Sequence, residues 1–201
     1  MRKRWVVNGL APVSRRCSSS HSQIPGVPHV ACNAELALGE IVNYLFEKGY
    51  RRPGFMTGGK TLSTALGRRH HYMQFWQRKG VDGVVEMTAE RYSAEAGAKV
   101  GRAYLSATSP SPRIDVLMRE NDILALGAMD VARSEFGLRV PDDLAIVGFD
   151  NIELGAAPAY HLTSYQQPAD EMIDTMVAMI TGKREAETII LPGRLMQRSS
   201  A

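Results

Sequence analysis

Apolar positions along this chain change period at regular intervals, and the change is clearest between residues 113 and 151. Aliphatic and β-branched residues alternate over 113–119, as in a strand end. Asn121 and Asp122 follow, and both side chains can accept from the free amides of a first helical turn. Leu124, Leu126, Met129, Val131 and Ala132 predict a helix with Gly137 as its stop. After a loop over 138–143, Leu144 to Phe149 is an almost unbroken apolar run, as expected of a strand covered on both faces. It ends in Asp150-Asn151, which sets a carboxylate at the carboxyl edge of a parallel sheet, where open α/β sheets bind small ligands.

The same alternation extends outward from this unit. Residues 29–32 read as a strand end. Asn33 is the expected N-cap of a helix over 34–48, in which Leu38, Ile41, Val42, Leu45 and Phe46 recur at helical spacing and Gly49 closes the pattern. Residues 54–58 read as a strand running into a Gly-rich loop. A helix is predicted over 68–80 with Tyr72, Phe75 and Trp76 on one face. A strand over 81–87 and a helix through Val100, Ala103, Tyr104 and Leu105 follow. Further on come a strand over 161–168, an amphipathic helix over 169–180 and a closing ribbon made of 188–191 and 194–198. Strands alternating with helices predict an α/β fold, a parallel sheet flanked by helices with right-handed crossovers. Residues 1–28 lack pattern. Trp5-Val6-Val7 reads as a short strand, but 14–22 is rich in Ser, Arg and His and reads as loop or disorder.

At 201 residues and 44% hydrophobic content the chain can bury a core as one large domain or two small ones. A formal net charge of +3, with basic residues scattered in pairs, does not argue for a nucleic-acid groove. The two cysteines, Cys17 and Cys32, have no ligand spacing and suggest a reducing compartment. No apolar run reaches the roughly 18–20 residues of a membrane span. The apolar stretch after Met1 is broken by Asn8, Gly9 and Pro12, so the expectation is a cytoplasmic protein without membrane contact.

The runs NDILALGAMD at 121–130 and GLRVPDDLAIVGFDN at 137–151, in that order and separation, resemble the effector-binding core of the LacI/GalR family of bacterial transcriptional regulators. The resemblance implies a periplasmic-binding-protein type I-like fold of two hinged α/β lobes with an effector between them. Mapped on this chain, it implies a poorly patterned segment over 1–28, the carboxyl-side lobe over 29–160, a crossover strand and helix of the amino-side lobe over 161–187, and a return ribbon of the carboxyl-side lobe over 188–201. The second lobe is then nearly complete and the first fragmentary, as in an amino-terminally truncated product with no helix-turn-helix headpiece.

By the same resemblance Arg68 hydrogen-bonds the effector, Tyr92 stacks on it, Asn121 and Asp150 bond its hydroxyls, and Asn33 is a candidate hinge or cleft residue. The implied effector is a small molecule, a sugar or sugar acid. The full-length parent is then a homodimer that meets operator DNA only through its headpiece. Plainer readings stand beside these. Arg68 could be a solvated helix-start residue, with Arg69 one place out of register; Asn121 could be only a cap, although capping fits Asp122 better; Asp150 could be a strand-end turn residue; Tyr92 could be surface packing. Met172, Met176, Val177 and Ile180 form a helix stripe that suits either core packing or a subunit contact.

One rival motif is present to the letter. Gly54-Phe55-Met56-Thr57-Gly58-Gly59-Lys60-Thr61 satisfies G-x-x-x-x-G-K-[ST], the phosphate-binding loop of nucleotide enzymes. That loop needs an apolar strand before its first glycine, whereas Arg51-Arg52-Pro53 precede this one, and Gly67 interrupts the helix it would open. A periplasmic sugar-binding protein would share the fold but would carry a signal sequence. His70-His71 point about 100° apart on a helix and cannot share a metal ion unaided. No catalytic motif beyond the phosphate loop is found, so the expectation is a non-enzyme that holds neither cofactor nor metal.

Overall fold

The computed structural model describes residues 18–19, 27–58, 63–111 and 113–201. In chain order the elements are β1 (Ser18–Ser19), β2 (His29–Cys32), α1 (Ala34–Glu47), β3 (Pro53–Thr57), α2 (Ser63–Arg78), β4 (Val85–Thr88) and α3 (Ala94–Ala107). They continue with β5 (Val116–Arg119), α4 (Asp122–Ser134), β6 (Ala145–Phe149), α5 (Glu153–Ala156), β7 (Thr163–Gln166), α6 (Ala169–Thr181), β8 (Ile189–Leu191) and β9 (Arg194–Met196). Two sheets result: a larger one in the order β4-β3-β5-β6-β7-β9 and a smaller one in the order β1-β2-β8. Every pairing is parallel except β7 with β9.

Side-chain alternation sorts the strand residues into two cores. Val116, Met118, Ala145, Val147 and Phe149 join Leu38, Leu45, Tyr72 and Trp76 on the α1–α2 side. Leu117 and Ile146 join Met56, Leu105, Ala125 and Met129 on the α3–α4 side. With both faces covered, β3, β5 and β6 are buried at every position, which is why they read as continuous apolar runs. Helices α3 and α4 approach closely because they meet through glycine: a Cβ on Gly97 would lie 2.4 Å from the Leu124 carbonyl oxygen, and one on Gly127 would lie 1.8 Å from that of Ala94. The chain's last residues are stitched into the larger sheet. Ser200 Oγ accepts from Thr163 N (2.8 Å) and donates to Ile146 O (2.6 Å).

Several expectations need correction. Residues 161–187 do not all belong with the amino-side lobe: β7 pairs with β6 in the larger sheet, and the crossing comes only after Gln166, with α6 packing Met172 and Met179 on Val30 of the smaller sheet. Residues 188–191 and 194–198 form no ribbon with each other, since β8 pairs with β2 and β9 with β7. Residues 29–32 accordingly lie in the smaller sheet, outside the unit expected to span 29–160. Within the unpatterned 1–28, Ser18 and Ser19 pair with His29 and Val30; backbone ladder bonds need no side-chain pattern. Trp5-Val6-Val7 lies outside the described residues. Gly67 does not interrupt a helix, because α2 begins at Ser63 and runs through it. The α6 stripe is split: Met172 is buried and Met176 partly buried, whereas Val177 and Ile180 are exposed together with Ile173.

Candidate functional site

Strands β3, β5 and β6 end side by side at their carboxyl edge, in Gly58, Glu120 and Asp150 respectively. The β6 end is bent hard: Asp150 has φ 105° and Asn151 φ 53°, both in the left-handed region that non-glycine residues seldom occupy. Such strain costs about 1 kcal/mol or more per residue and persists only where neighbours over-determine it. Here they do. Asp150 N donates to Tyr165 O (2.9 Å) and Asn151 N to Ser164 Oγ (3.0 Å). Gln167 Nε2 donates to Asp150 Oδ1 (2.6 Å) and Arg198 Nη2 to Asn151 Oδ1 (2.6 Å).

Arg68 reaches this edge from α2. Its guanidinium lies 3.7 Å over the Phe149 ring, and Nη1 donates to the Glu120 carbonyl oxygen (2.8 Å). A flat, weakly hydrated cation suits both contacts. Tyr92 faces the same cluster from the segment before α3. Burial and the neighbouring Glu120 carboxylate push its hydroxyl pKa well above the ordinary tyrosine value, Asp150 adds to the rise and Arg68 opposes it. Cys32, at the end of β2 in the smaller sheet, has its thiol pushed up to about 11, chiefly by burial, with Arg68 opposing and Asp150 adding. Arg68, Tyr92, Glu120, Asp150 and Cys32 therefore share one electrostatic neighbourhood at the carboxyl edge.

The other two expected site residues are differently engaged. Asn121 sits at this edge, but its Oδ1 accepts from Leu124 N (3.1 Å) as the cap of α4, so the cap is Asn121 and not Asp122. Asn33 caps α1 by accepting from Leu36 N (3.0 Å), and its own N–H donates to Leu191 O (2.8 Å) across the smaller sheet. Its position joins the two sheets, while its side chain lines a groove with Glu35, Gly39 and Phe75 between α1 and α2.

Three site-side residues carried no sequence signal of their role. Glu120 is buried at the floor, Gln167 holds Asp150, and Asp122 lies beneath. Asp122 is 1% exposed and accepts from Ser164 Oγ (2.7 Å) and Ile152 N (2.8 Å). Burial raises its pKa to about 6, with those two bonds opposing the rise. One strand earlier, Arg119 is wholly buried. It meets the Met56 sulfur, but Nε and Nη2 have no hydrogen-bond partner, and desolvation lowers its pKa to about 9.

The phosphate-loop alternative meets an obstacle in β3. Gly54 to Thr57 are strand, every one of them buried, with Phe55 and Met56 in opposite cores, so the segment that should wrap a phosphate is sheet. Gly59, Lys60 and Thr61 lie outside the described residues. Among the described residues no three His, Cys, Asp or Glu side chains gather to hold a metal ion, and no helix is long and apolar enough to cross a membrane.

A parallel α/β sheet with polar strand tips, joined by several crossings to a second sheet, defines a class. The model of the periplasmic binding protein-like domain matches residues 42–201, and the chain belongs to that family. More particularly, it is homologous to the LacI-type repressors. It is 30% identical over 171 residues to the HTH-type transcriptional repressor CytR of Escherichia coli K12, covering 85% of this chain and 49% of CytR. It is 31% identical over 163 residues to the repressor PurR of Edwardsiella ictaluri, covering 78% of this chain and 47% of PurR. Among solved structures, a LacI-family regulatory protein of Chloroflexus aggregans superposes with a TM-score of 0.77 at 26% identity, over 90% of this chain and 67% of that one. The chain spans about half the length of the curated relatives it matches.

Proposed function

We propose that this chain is the effector-sensing part of a LacI-type transcriptional regulator. Arg68, Tyr92 and Asp150 bind a small hydroxylated molecule, a sugar or sugar acid, with Asn121 at the rim and Asn33 at the hinge. The observation that carries this reading is that Arg68, stacked on Phe149, shares one electrostatic neighbourhood with Tyr92 and Asp150 at the carboxyl edge of one parallel sheet. A guanidinium and a carboxylate at one sheet edge offer donors and acceptors to adjacent hydroxyls. A structural neighbour of the same fold, CelR, is held in complex with cellobiose, a ligand of this chemistry. In the parent protein, a homodimer, the bound molecule favours one arrangement of the two sheets and so changes operator affinity by differential binding. The chain acts by binding and not by catalysis.

A thermal-shift panel of neutral sugars, sugar acids and ATP tests the reading, because a ligand selective for the folded state raises its melting temperature. At least one sugar or sugar acid is expected to raise it, and Arg68→Ala to abolish the rise. Stabilisation by ATP alone would refute the proposal.

A further inference from the structure

Helices α1 and α2 leave a groove of about 420 Å³ between them, on the face of the larger sheet away from α3 and α4. The two helices run in the same sense. A Cβ on Gly39 would lie 3.0 Å from the Phe75 ring, and further along both helices Phe46 meets Trp76 and Lys79. Gly39 has no side chain to cover Phe75, so that ring floors the groove, and Leu36 stands 41% exposed at its wall.

The charges of this face are sorted by sign. Glu35 and Glu40 line the groove toward the start of α1. Toward the other end, bases stack on the aromatic rings: Arg78 lies 4.9 Å from the Phe75 centroid, and the Phe46 ring has Arg51 at 3.6 Å and Lys79 at 5.1 Å. Nearby, the stretch 46–52 adds Lys48 and Arg52 against a single acid, Glu47, and Arg52 pairs with Asp115 at 3.6 Å. Among the described residues, Glu35, Glu40, Arg51, Arg78 and Lys79 form no ion pair with a side chain of their own molecule. Around α3 the opposite holds: Lys99 meets Glu90 at 3.1 Å, Arg91 meets Glu95 and Arg102 meets Glu135. Burial raises the Glu40 pKa, as expected of a carboxylate in a groove wall with no cation beside it. His71, the neighbour of Glu35, has its pKa lowered by burial and does not neutralise that acid at pH 7.

A face that is acidic at one end and basic at the other is complementary to itself after a half-turn. We propose that the α1–α2 groove is a contact between two copies of this chain, related by a two-fold axis that sets Glu35 and Glu40 of one copy against Arg51, Arg78 and Lys79 of the other. Along α1 the two charge clusters lie roughly 10–15 Å apart, so a single antiparallel pairing of the two grooves engages both at once. Leu36 and Phe75 give the contact an apolar centre, and the charges fix its register. The contact does not depend on the effector reading and is separate from any that α3 and α4 make on the opposite side of the sheet.

The test is analytical ultracentrifugation of the full chain and of two variants, Glu35→Lys/Glu40→Lys and Arg78→Glu/Lys79→Glu. Wild type is expected to associate in 0.1 M NaCl and about tenfold or more weakly in 1 M, as the screening length falls from about 10 Å to about 3 Å. Each variant alone carries like charge at both ends of the groove and should associate at least about tenfold more weakly than wild type. Mixed in equal amounts, the two variants complement each other at both ends and should associate again. Because both pairs of substitutions lie on exposed or half-exposed positions, unchanged melting temperatures check that the variants fold. A wild-type chain that does not associate, or does so without regard to salt, overturns the proposal. So do variants that assemble as wild type does, which would place the contact on another face, and a mixture that stays apart.

Discussion

Replacing Asp122 by asparagine should change how the stability of this chain depends on pH. The carboxylate is buried under the bent end of β6, accepting from Ser164 Oγ at 2.7 Å and Ile152 N at 2.8 Å. Burial outweighs both bonds and lifts its pKa from an ordinary 3.8 to about 6. A folded-state pKa above the unfolded one means that the folded chain holds the proton more tightly. The group's stabilising contribution is therefore complete below a pH of about 4 and is lost as pH rises through about 6. At roughly 1.4 kcal/mol per pH unit, the shift is worth on the order of 3 kcal/mol across that window. Asparagine keeps an acceptor for Ile152 N and cannot ionise, so the variant lacks this loss. Urea titrations of both proteins from pH 4 to 8 should show Asp122→Asn gaining about 2–3 kcal/mol on the wild type between the two ends. Comparing the proteins cancels the opposite trend of Asp143, whose bonds to Arg139 hold its carboxyl at about 2. Parallel stability curves for the two proteins would refute the reasoning.

Two other substitutions probe the packing. Gly127→Ala places a methyl 1.8 Å from the Ala94 carbonyl oxygen and should cost about 1–3 kcal/mol, read as a lower urea midpoint with unchanged slope; an unchanged midpoint would mean that α3 and α4 can part freely. Arg119→Met removes a buried guanidinium with two unpartnered nitrogens and should raise the urea midpoint, by about 1 kcal/mol or more, whereas a loss of stability would reveal a function for the charge.

The elements most legible in the sequence were those whose local chemistry and tertiary surroundings agree. Asn33 was recognisable as a cap because a short side-chain oxygen before an apolar period has one efficient use, and it accepts from the amide three residues on; at α4 the sequence favoured Asp122, and Asn121 is the cap instead because its oxygen reaches Leu124 N. The buried strand over Ala145–Phe149 announced itself because both of its faces are covered. Sheet membership did not, since nothing in Thr163–Gln166 or Ile189–Leu191 records which strand each will lie beside. The sequence misled at Gly67, where a glycine that interrupts a pattern on paper is carried by a helix already begun at Ser63. Within the candidate site, Arg68, Tyr92 and Asp150 were found through their resemblance to a known pattern. Glu120 was not, because its bonds to Gly58 and Arg68 span 62 and 52 residues along the chain, which no local spacing encodes.

The larger and smaller sheets exchange the chain three times: after Cys32, after Gln166 and after Leu191. Severing any one of these links leaves the two sheets covalently joined through the others, so limited proteolysis at a single junction cannot release either as a fragment. Neither sheet is contiguous in sequence, and the strands of the smaller one are laid down before and after nearly all of the larger. During synthesis β2 must therefore wait for β8, the best part of the chain later, before its outer ladder can close.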